Sequence, residues 1–101
     1  MRASFKDILG EAKRVFCRNP YWKGIYDKAP EKVKRLYELS FARAENLISA
    51  DEDKAATESL YKEFDDSDWD YLIENTESNM ARWGYKQAKA RYLKNPSVTQ
   101  P

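Results

Sequence analysis

Apolar side chains recur three and four positions apart through almost the whole of this chain, and the residues that break helices fall between those stretches. Only three Gly and four Pro are present, and signals for strands are nearly absent. The pattern predicts an all-α protein. Phe5, Ile8, Leu9, Ala12, Val15 and Phe16 form one stripe of a first helix at about 4–18, opened by Ser4 with Asp7 three positions on. It closes at Asn19-Pro20, because the residue before proline avoids helical geometry. Pro20 suits the first position of a short helical turn at about 20–28, with Trp22, Ile25 and Tyr26 on one side and Gly24 working against it. Val33, Leu36, Tyr37, Ser40, Phe41, Ala44, Leu47 and Ile48 then define a long helix at about 30–49.

One continuous helix from Pro30 to Phe64 has to be weighed, since nothing in Ser49-Ala50-Asp51-Glu52-Asp53 breaks a helix outright. The phase argues against it. Continuing the Leu47–Ile48 stripe places apolar residues near 51, 55 and 58, whereas the large ones are Leu60, Tyr61 and Phe64. Ser49 followed by Glu52 reads as a capping box that opens a new helix at about 52–64. After Asp65-Asp66, Ser67 is a candidate cap. Trp69, Leu72, Ile73, Thr76, Met80, Trp83, Gln87 and Ala90 then fall within about 100° of arc on a helix at about 67–94, running through Gly84 to Asn95-Pro96. The expected architecture is a compact bundle of four main helices plus the short turn.

The 101 residues, 11.9 kDa, suffice for one core, so a single helical domain is expected over 1–95 with a flexible tail at 96–101. No apolar run reaches the roughly 18 residues of a membrane span, and the opening Met1-Arg2-Ala3-Ser4-Phe5-Lys6 leads into a charged helix rather than the apolar core of a signal peptide. A lone Cys17 forms no internal disulfide, which suits a reducing, cytoplasmic setting. The chain has no His, which excludes imidazole acid–base chemistry, His-activated nucleophiles and His-containing zinc sites.

A net charge of +1 conceals a strong segregation. Residues 1–50 carry 11 basic and 6 acidic side chains, residues 51–77 carry 2 and 11, and residues 78–101 carry 5 and 0. Much of the acidic block sits where helix N-termini favour negative charge. Read as a calcium loop, Asp66 to Glu77 places carboxylates at positions 1, 3, 5, 9 and 12, but the obligatory glycine at position 6 is Tyr71. The stripe of Trp69, Leu72, Ile73 and Thr76 also runs helically through it. A capped helix N-terminus is therefore expected, with no dedicated metal site and at most unspecific divalent-cation binding by Asp65, Asp66 and Asp68.

Two groups of residues are candidates for contact with a partner. On the last helix, Ala81, Tyr85, Ala88 and Tyr92 form a ridge about 160° away from Trp83 and Ala90, with Arg82, Lys86 and Lys89 alongside. If Trp83 and Ala90 close the bundle, this second ridge is free to meet a protein: Tyr85 and Tyr92 as aromatic anchors, Arg82, Lys86 and Lys89 as orienting cations. A neighbouring helix covering both ridges would leave no such surface. The alternative partner is nucleic acid, for which Arg18, Tyr21, Trp22 and Lys23 near the chain start, and Arg82, Lys86 and Lys89 near its end, combine cations with stacking rings. Tyr21, Trp22 and Tyr26 equally suit an amphipathic lid over a small core. No nucleic-acid motif is present. Catalysis has little to work with: the carboxylates lie in a solvated block, Cys17 borders an apolar stripe, and no phosphate-binding glycine loop occurs.

The order of an amphipathic helix, Asn19-Pro20-Tyr21-Trp22, Tyr26-Asp27-Lys28-Ala29-Pro30 and a long helix resembles small uncharacterised helical proteins of Gram-positive bacteria and their mobile elements, over the first third of the chain. The resemblance implies a bacterial accessory protein and assigns no catalytic or binding residue. The expected function is a non-enzymatic protein–protein interaction or regulatory module that associates with a protein or with itself, takes no cofactor or small-molecule substrate and binds no membrane. The alternative is a nucleic-acid-binding accessory protein.

Overall fold

A computed structural model describes residues 4–93. Among the described residues the chain is helical, with no strand, and six helices follow one another: α1 Phe5–Phe16, α2 Pro20–Lys28, α3 Glu31–Ala44, α4 Ala50–Tyr61, α5 Asp66–Asn75 and α6 Asn79–Leu93. None is long and apolar enough to cross a membrane. The tail expected at 96–101 lies outside the described residues, as does Lys94. Backbone packing groups the chain into two compact units, Met1–Leu60 and Tyr61–Pro101.

In the first unit α1 and α2 both pack against α3. The start of α1 is as the sequence predicts: Ser4 Oγ accepts a hydrogen bond from the Asp7 N–H at 3.1 Å. Ile8 and Ala12 are buried, and the Phe16 ring stacks on Phe41 of α3 at 4.4 Å between centroids. Segment 20–28 is a nine-residue helix rather than a turn. Asn19 caps it by accepting from the Tyr21 N–H at 2.8 Å, and Pro20 takes the first position, where its missing N–H costs nothing. Trp22 meets Phe16 and Phe41 edge-on at 6.2 and 6.0 Å and Tyr26 is buried. These aromatic contacts offset the roughly 1 kcal/mol that Gly24 costs a helix.

Helix α3 stops at Ala44, five positions short of the sequence expectation, and its last turn shows why. Asn46 adopts φ 59°, the left-handed conformation that asparagine tolerates better than most residues. The Leu47 N–H then donates to the Ala42 carbonyl at 2.9 Å and the Asn46 N–H to that of Arg43 at 3.1 Å, the paired bonds of a Schellman motif. The buried face of α3 is Val33, Leu36, Leu39, Phe41 and Ala42, while Ser40 and Ala44 of the expected stripe are exposed. The break before α4 is where phase places it. Ser49 and Glu52 form a reciprocal capping box, with Ser49 N–H to Glu52 Oε1 at 2.8 Å and Glu52 N–H to Ser49 Oγ at 3.1 Å.

The second unit is the last residue of α4 with α5 and α6, and here the single helix expected at 67–94 is corrected to two. Asp65, not Ser67, caps α5: its carboxylate accepts from the Asp68 N–H while Asp68 accepts from the Asp65 N–H, both at 3.0 Å. Trp69 and Leu72 are buried, and the Trp69 ring lies 4.8 Å from Tyr61 and 4.9 Å from Phe64. Thr76 is extended, at ψ 141°, so the helix ends at Asn75. Ser78 starts the next one, accepting from the Ala81 N–H at 3.1 Å. Arg82 makes the break tolerable. Its guanidinium donates to the Ile73 and Thr76 carbonyls at 3.0 and 2.7 Å, satisfying acceptors that an ended helix leaves without partners.

Candidate functional site

Three non-helical residues between α5 and α6 reset the helical phase, and the two sides of α6 exchange roles. Ala81, Tyr85, Ala88 and Tyr92, the ridge expected to face outward, are half-buried, and this side packs on α5. Tyr92 lies over Trp69 at 6.1 Å, near-parallel, and edge-on to Tyr61 at 5.4 Å. Burial raises the pKa of the Tyr85 phenol. Met80 and Trp83, expected in the core, are instead 83% and 64% exposed, and Gln87 and Ala90 beside them are exposed too. Helix α6 continues unbroken through Gly84.

The cations of α6 divide in the same way. Arg82 is engaged with the end of α5. Lys89 donates to Asp70 Oδ1 at 2.7 Å and lies 3.8 Å from Asp66; the hydrogen bond to Asp70 holds its ammonium above the ordinary lysine pKa. Lys86 has no ion-pair or hydrogen-bond partner among the described residues, and Arg91 meets only the face of Tyr92, at 6.0 Å. Lys86, Lys89, Ala90 and Leu93 line, with Asp66, an open groove of about 420 Å³. Around the helix the exposed arc therefore reads Lys86, Asn79, Ala90, Trp83, Gln87, Met80 and Arg91, with Trp83 and Met80 on either side of Gln87 and a cation at either edge.

The residues of the nucleic-acid alternative fall in different units. In the first, Arg18 is exposed, Tyr21 is 55% exposed against the edge of Trp22 at 5.2 Å, and Trp22 reaches the aromatic cluster of Phe16 and Phe41. Lys23 donates to Asp27 at 2.7 Å, which lowers the Asp27 carboxyl pKa and neutralises the cation locally. Deeper in, Tyr26 donates a hydrogen bond to Glu38, and burial first, then that carboxylate, raises the pKa of its phenol. The ammonium groups of Lys13 and Lys34 lie over its ring at 5.1 and 5.6 Å. Cys17 is half-buried at the C-cap of α1.

Asp66–Asn75 is helix, so the calcium-loop geometry is not formed there; Asp65 and Asp68 are consumed by the capping box. Among the described residues no group of three His, Cys, Asp or Glu side chains is placed to hold a metal ion. The exposed Met80–Trp83 pair was legible only through the break that creates it, whose signal is the run of cap-forming residues Asn75-Thr76-Glu77-Ser78-Asn79. No family model, no curated protein and no solved structure matches the chain.

Proposed function

We propose that this chain is a non-enzymatic protein–protein interaction module whose contact face is the outer side of α6. The reading is carried by one observation: Met80 and Trp83 stand exposed side by side on a helix whose opposite side is already engaged with α5. Leaving a tryptophan and a methionine in water forgoes burial of about 1.5–3 kcal/mol for a side chain of such size. Buried Trp anchors with basic residues at the rim are the usual carriers of interface energy. Lys86 stays in the proposed contact set, and Met80, Trp83 and Arg91 replace Tyr85, Tyr92, Arg82 and Lys89, which serve the unit's own packing. A reducing, cytoplasmic setting fits the half-buried lone Cys17. An accessory role of the kind the resemblance of the first third implies suits such a module.

Nucleic acid is the less supported partner. Of its five candidate cations, Lys23, Arg82 and Lys89 already have acceptors within their own unit, which leaves Arg18 and Lys86. The test is binding by the intact chain and by Met80→Ala/Trp83→Ala, whose exposed positions leave folding unchanged. The wild type, immobilised, captures a protein partner, and the variant loses capture at least tenfold with the same melting temperature. Equal capture by both overturns the reading, as does retention on duplex DNA that is indifferent to Trp83 and falls steeply with salt.

A further inference from the structure

We draw no further inference here: the strongest candidate, the exposed Met80–Trp83 patch on the outer side of α6, belongs to the face already proposed for contact, and nothing in the structure shows what covers it.

Discussion

In the first unit, rings from three helices close on one another: Phe16 of α1 stacks on Phe41 of α3, and Trp22 and Tyr26 of α2 lie against the same ring. In the second, Trp69 is enclosed by Tyr61, Phe64 and Tyr92, yet α6 contributes no fully buried residue and leaves Met80 and Trp83 in solvent. Both units therefore possess an aromatic core of similar chemistry. What differs is how much of each helix that core consumes. Helix α3 is used by both α1 and α2, whereas α6 is used along one side by α5. Helix α6 thus keeps apolar side chains that its own unit leaves in solvent.

The comparison is broken most directly at the two ring clusters. Trp69→Ala removes a fully buried ring and is expected to cost about 3–5 kcal/mol, with amide protection lost on α5 and α6; Phe41→Ala is expected to cost as much, with protection lost on α1–α3. Trp83→Ala, the same change at an exposed site, should leave stability within about 0.5 kcal/mol. Denaturant unfolding followed by hydrogen exchange checks all three, and a large cost for Trp83→Ala would mean that α6 is held by its outer face after all.

A smaller effect sharpens the account of the helix break. Arg82→Ala leaves the Ile73 and Thr76 carbonyls without their donor and is expected to cost about 1.5–3 kcal/mol, the range for bonds from a charged group. Arg82→Lys, which lacks the forked geometry, should recover only part of it in urea unfolding. The smallest effect is electrostatic. Lys89 has a raised pKa through its hydrogen bond to Asp70, so its contribution is fully present below the unfolded lysine value and is lost as pH rises through the folded one. Wild type and Lys89→Met should accordingly differ slightly at neutral pH and converge under alkaline conditions.

Local signals proved reliable at two caps and one break in phase. The Ser4 cap, the Ser49–Glu52 box and the break in phase between Ile48 and Leu60 are contacts over three or four residues, and they stand where the sequence puts them. The cap of α5 was misassigned to Ser67: Asp65, Asp66, Ser67 and Asp68 are all cap formers, and Asp65 takes the position through its reciprocal bonds with Asp68. The end of α3 at Asn46 shows a cue that asparagine only permits, since left-handed geometry there also requires Leu47 to close the Schellman bonds.

The candidate site was legible in its residue types and illegible in its orientation. A stripe continued at 100° per residue is a valid guide only while the helix is unbroken, and Thr76 to Ser78 interrupt it. The side chain that stabilises the interruption, Arg82, acts on carbonyls six and nine residues away in sequence, beyond any helical spacing.

By itself the sequence determined helical structure, most of the breakpoints and the segregation of charge, because these follow from periodicity, capping and composition within a few residues. Tertiary structure alone decided that Tyr85 and Tyr92 turn inward and that Met80 and Trp83 turn out. The physical reason is that which face of a helix is wetted depends on where the next helix packs, and that is set by contacts no local pattern encodes.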